Sequence, residues 1–177
     1  MKTNFDTIEV TQKIEKILNQ LAKTDYVDNI GNRKWTEYII QKLSELGKSY
    51  DFLRCPCPDD FNAAWLYDLT WYKNNDEGYL SEIPFIMESE WSYGYDDIRY
   101  DFEKLLQSDA KLKLMICCHK NGEDDIRYFE EYFPKAIKSY IQQSLNCVYM
   151  VAVLKDYDEF EFKYYYYNAN GEIININ

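Results

Sequence analysis

The hydrophobic residues of this chain change period along the sequence, from helical spacing to alternation and back, and few architectures accommodate that pattern. Val10, Ile14, Ile17, Leu18 and Leu21 recur at helical spacing, and Asp6 followed by Glu9 has the capping-box arrangement with Asp in place of Ser or Thr. Together they predict a helix from about Thr7 to Ala22. A polar joint, Asp25 to Asn32, separates it from a second predicted helix, Trp35 to Leu46. There Ile39, Ile40, Leu43 and Leu46 face inward and Gly47 marks the stop.

The period then becomes two. Ser49–Arg54 reads as a short strand closed by Pro56 and Pro58, which forbid a central ladder. From Phe61 to about Tyr72, Ala63, Trp65, Tyr67, Leu69 and Trp71 alternate with Ala64, Leu66, Asp68 and Thr70. Residues 74–78 carry turn chemistry. Ile83 to Trp91 is the next strand, with Pro84, Ile86, Glu88 and Glu90 on one face. A helix from Asp96 to Ser108 follows, then a strand at Lys111–Cys118, a long helix from Asp125 to about Gln143 and a buried strand at Cys147–Leu154. Glu159–Tyr167 and Glu172–Ile176 form a predicted hairpin about Asn170 and Gly171. Its run Tyr164–Tyr167 places two rings on each sheet face, as sheet surface first and ligand platform second. Helices interleaved with strands predict an α/β fold, and 177 residues suit one domain of roughly 100–200 residues.

The formal net charge is −11, from 31 acids and 20 bases, with no Lys/Arg-rich block. That balance counts against tight nonspecific binding of DNA, which needs a basic stripe. Five cysteines, no signal-peptide pattern at Met1–Val10 and no apolar run of about 20 residues predict a cytoplasmic protein with reduced thiols and no membrane span.

Three acids stand out because they fall on strands. Glu88 and Glu90 are two apart and so face one side. With a hairpin centred near Gly78, Asp68 lies opposite Glu88, where Cβ atoms are about 4.5–5.5 Å apart. Two carboxylates that close repel unless a proton or cation lies between them, and hard oxygen ligands select Mg²⁺ or Mn²⁺.

A leading helix, a three-strand meander bearing Asp and then Glu-x-Glu, a helix and a further strand resemble the PD-(D/E)xK superfamily. The segments Trp65–Trp71, Met87–Trp91 and Asp101–Leu106 look like its bacterial branches. The resemblance covers about residues 35–154. It implies a restriction-endonuclease-like αβββαβ core, a mixed central sheet flanked by helices, with the helix of residues 1–30 and the hairpin of residues 155–177 as additions. It further implies a metal-dependent nuclease in which Asp68 and Glu88 bind the metal and the Ser89 carbonyl completes the shell. Where the superfamily carries its lysine this chain has Glu90. Some members take that lysine from the following helix, and Lys104 is the matching residue here. Helical spacing sets Lys104 about 140° from the centre of the apolar face. Asp101 could orient it, or the two could form an exposed ion pair.

Two functions therefore stay open: a Mg²⁺-dependent phosphodiesterase acting on nucleic acid, and a catalytically inactive module that binds a protein through its Tyr- and Trp-rich surface. Nucleic-acid mimicry has only the charge behind it. Cys55, Cys57, Cys117 and Cys118 lack the Cys-x₂₋₄-Cys spacing of zinc sites, and His119 has no nucleophile-elbow context. Asp96, Asp97, Asp124 and Asp125 read as helix N-termini, and Glu37 and Glu45 point away from the apolar face of their helix.

Overall fold

The computed structural model describes residues 5–25, 31–57, 63–92, 94–119, 126–142, 144–155 and 161–176. Among them, α1 (Thr7–Asp25) and α2 (Asn32–Ser49) precede a meander of β1 (Leu53–Cys55), β2 (Leu69–Asn74) and β3 (Leu80–Glu90). Helix α3 (Tyr95–Leu106) leads to β4 (Leu112–His119). A π-helical segment (Ile126–Tyr132) runs into α4 (Phe133–Ser139), and β5 (Val148–Lys155) and β6 (Glu161–Asn168) complete the chain. The architecture is α/β, with an open six-stranded mixed sheet whose spatial order is the chain order, β1 to β6. Strands β3, β4 and β5 are parallel, and the remaining neighbours are antiparallel. No helix among the described residues is long and apolar enough to cross a membrane.

Alternation along the strands builds two cores. Leu69, Trp71, Phe85, Met87, Leu114 and Ile116 face α1 and α2, whereas Ile86, Met115 and Val151 face α3 and α4. Pro84 is tolerated in an interior strand because it sits beside a register shift of the β2–β3 ladder, next to a position where no pairing is made. The cap predicted for α1 forms: the Ile8 and Glu9 N–H groups donate to Asp6 Oδ1 at 2.9 and 3.1 Å.

Several boundaries differ from the sequence expectation. Strand β2 begins at Leu69, not Phe61, because its partner β1 has only three residues and pairs no further than Thr70. Tyr67 accordingly joins the α3 core rather than the face of Leu69, and Trp65 and Leu66 are exposed. Phe61 lies outside the described residues. Ser49 and Gly47 belong to α2. Glycine is needed there for close approach rather than as a stop, since an added Cβ would lie 2.7 Å from the Trp71 ring. The expected helix from Asp125 to Gln143 is π-helical in its first half and ends at Ser139, and both of its expected ends lie outside the described residues. The first arm of the terminal hairpin is the sixth strand of the sheet, and its return arm makes an isolated bridge, Tyr167 to Ile173. The tyrosine run divides as its spacing requires: Tyr164 and Tyr166 join one core, Tyr165 and Tyr167 the other.

Candidate functional site

Register places the first acid. Leu69 pairs with Met87, and one step further sets Asp68 opposite Glu88. The hairpin is centred near Glu77 rather than Gly78, since Asn74 pairs with Leu80. Two register shifts, between Trp71 and Lys73 and between Lys73 and Asn74, absorb the difference. Asp68 is then fixed by Ser89, whose N–H and hydroxyl both donate to Asp68 Oδ2, at 2.8 and 2.7 Å. Behind it runs a chain of donors. Trp91 Nε1 donates to Thr36 Oγ1 at 2.8 Å, and the Thr36 and Ser89 hydroxyls are 3.2 Å apart. Because the Ser89 proton is directed at Asp68, Thr36 is the donor of that middle bond. Successive bonds in one direction polarise one another towards the carboxylate.

Helix α3 supplies the cation. Its apolar residues Ile98, Phe102, Leu105 and Leu106 are buried against the sheet, which brings the flank bearing Asp101 and Lys104 over the end of β3. Lys104 Nζ lies 2.5 Å from Glu88 Oε1 and 3.3 Å from Asp101 Oδ1. The lysine stem wraps back along the helix to reach the sheet. The pair is therefore an enclosed one, with Glu88 only 2% exposed, and not an exposed pair between Lys104 and Asp101 alone. Buried Glu88 Oε1 is met by the Lys104 ammonium. Tyr67 steadies the helix from below, its hydroxyl donating to the Lys104 carbonyl at 3.4 Å.

Burial dominates the electrostatics. It pushes Glu88 up to about 8; the Asp68 and Asp101 charges push the same way and Lys104 pulls against them. Asp101 is also raised, by burial first. At Lys104 burial opposes the charge, but contact with Glu88 and Asp101 outweighs it and holds the ammonium above its ordinary range.

Of the residues singled out in the sequence, Ser89 ties Asp68 to β3 beside Glu88, and Lys104 closes on Glu88. Glu90 is turned to local work, accepting the Ser92 N–H at 2.6 Å, while the Ser92 hydroxyl donates to Asp97. Thr36 and Tyr67 escaped the sequence reading. Thr36 sits on a helix remote in sequence, and simple alternation assigned Tyr67 to the wrong face. Asp96 and Asp97 do lie in the first turn of α3. Glu37 and Glu45 pair locally with Arg33 and Lys42. The five cysteines are free thiols. The His119 side chain and Asp124 and Asp125 lie outside what the structure describes.

The donors suit a hard cation. Asp68 Oδ1 has no hydrogen-bond partner among the described residues, and Glu88 Oε1 has only the ammonium. No cluster of three or more acidic, histidine or cysteine side chains arranged for a metal occurs among the described residues. Mg²⁺ commonly takes one or two carboxylates and keeps several waters, so two acids are a sufficient protein contribution. No family model matches the chain, and neither a curated protein nor a solved structure matches it.

Proposed function

We propose that the Asp68–Glu88–Lys104 cluster is the site of a Mg²⁺- or Mn²⁺-dependent phosphodiester hydrolase, a nuclease of the restriction-endonuclease-like type with its lysine carried on the helix. One observation carries the reading: Lys104 reaches from α3 to within 2.5 Å of Glu88, beside Asp68, which immediately precedes the neighbouring strand and is held by Ser89. The succession α2, β1, β2, β3, α3, β4 supports it, being the αβββαβ order that the sequence resemblance implies.

Asp68 and Glu88 would hold the cation. The Ser89 carbonyl would join them, since it points to the same side of the strand as the Ser89 N–H that meets Asp68. Bound there, the cation would supply charge neutralisation at the phosphate and a lowered pKa for water. Asp68 is oriented for this by the Ser89–Thr36–Trp91 chain. With its oxygens on a cation, Glu88 would release its proton to solvent and loosen its hold on Lys104. Lys104 would then hold the attacking water or the negative charge developing on the phosphoryl oxygens. Attack by the water would form a new P–O bond and break the ester P–O bond; the water's proton passes to solvent and the leaving oxygen takes one from solvent. Glu90, whose charge is felt at Asp101, would add negative charge near the site.

The same contact favours a second reading. Whether protonated or paired with Lys104, Glu88 carries no uncompensated charge without a cation, as it would in an inactive protein-binding module on this fold. Calorimetric titration with Mg²⁺ and Mn²⁺, followed by cleavage assays on mixed DNA and RNA, separates the two. The hydrolase reading expects cation binding that an Asp68→Ala, Glu88→Ala double variant loses, and cleavage that Asp68→Ala loses. An Asp68→Ala protein that cleaves as well as wild type in Mg²⁺ sinks the reading.

A further inference from the structure

Two exposed aromatic rings lie on the side of the sheet that carries the acid–lysine cluster. Trp65, three residues before Asp68, packs against Tyr72 with ring centroids 4.8 Å apart and remains 53% exposed. Tyr72 shares a sheet face with Thr70, and Thr70 pairs with Ile86, which lies on the face of Glu88. Trp65 therefore rests on the same face as the cluster, over strands that α3 leaves uncovered. On α3, Tyr100, one helical turn before Lys104, is 68% exposed, with the Lys104 ammonium 6.0 Å from its ring centroid. Exposed rings beside a charged site offer faces on which a nucleic-acid base can stack.

We infer that the site takes single-stranded nucleic acid, gripping its bases on Trp65 and Tyr100 while the phosphodiester between them meets Asp68, Glu88 and Lys104. This rests on the phosphodiesterase reading and narrows it. A duplex hides its base faces and is held through many phosphates, which requires a basic surface. This chain has net charge −11 and no basic block, so affinity must come chiefly from stacking, to which every base contributes a face.

The test is fluorescence anisotropy on the full chain with Ca²⁺ replacing Mg²⁺. The probes are oligothymidylate and oligouridylate of about twelve nucleotides and a duplex of equal length. Single strands should bind at least about tenfold tighter than duplex, and Trp65→Ala and Tyr100→Ala should each weaken them about tenfold. Trp65→Phe should retain most of the affinity. The two single strands tell DNA from RNA preference. Doubling the salt should change affinity only slightly, as befits one or two phosphate contacts. Equal duplex binding, no oligonucleotide binding, or unchanged affinity in both alanine variants overturns the inference. If Asp68→Ala abolishes cleavage while the ring variants bind normally, only the stacking falls. If stacking holds and no Mg²⁺-dependent cleavage occurs, only the hydrolase reading falls.

Discussion

Two lysines reach into the same face of the sheet and meet opposite conditions. Lys104 comes from α3 to the end of β3 that carries Glu88 and lies between two carboxylates. Lys113, near the start of β4, is fully buried, and its ammonium meets the Tyr149 hydroxyl at 2.8 Å. The first stays above its ordinary pKa. Burial lowers the second, with the more distant Cys147 and Asp109 opposing only in part. A charge removed from water keeps its proton when an opposite charge is in contact and tends to lose it when only a neutral dipole is. Lys104 thus remains a cation available for chemistry, while Lys113 behaves as a core residue with a polar tip.

Replacing each lysine by methionine tests that contrast most strongly. Lys104→Met should cut Mg²⁺-dependent turnover at least about a hundredfold while cation binding persists. Lys113→Met should leave turnover unchanged, and equal losses in both would end the distinction. Denaturant melts at pH 7 come next. Lys104→Met should lower stability by about 2 kcal/mol, less than a fully trapped charge costs because Glu88 can take up a proton. Lys113→Met should stay within about 1 kcal/mol of wild type or exceed it.

The pH dependence separates the two ends of the face by sign. Glu88 is raised, so without divalent cations the folded state binds the extra proton between about 4.5 and 8, and stability falls as pH rises through that window. Lys113 is lowered, so the unfolded chain binds the extra proton above the folded pKa, and stability rises towards pH 10.5. Each limb has a slope of up to about 1.4 kcal/mol per pH unit. Glu88→Gln should flatten the first limb and Lys113→Met the second; a falling limb that survives Glu88→Gln assigns it elsewhere. The smallest effect is expected from Tyr149→Phe. It removes the hydroxyl from Lys113 and should cost about 1 kcal/mol with no change in cation binding at Glu88.

The contrast also shows what the sequence could disclose. The periodicity of Ile98, Phe102 and Leu105 located α3, and the alternation of Ile83–Trp91 located β3, because both elements bury one regular stripe. The residues 63–67 alternate equally well yet form no strand, since alternation cannot reveal how short the partner β1 is. Asp68 and Glu88 were legible as facing acids because the turn lay near the right place, although the exact register depends on two ladder irregularities that no local pattern announces. Lys104 was legible only as a position on a helix flank; its contact with Glu88 depends on how α3 lies on the sheet. Lys113 gave no signal, because a lysine between Leu112 and Leu114 looks like the solvent face of a half-covered strand, and here both faces are covered.

A sheet whose spatial order is its chain order has a consequence for synthesis. Each strand, as the ribosome releases it, finds its neighbour already made, so the sheet grows by addition at one edge without threading. Every side chain of the proposed cluster lies between residues 68 and 104. A nascent chain that has reached Lys104 therefore already carries the acids and the lysine, and the later strands β4 to β6 extend the sheet that holds them.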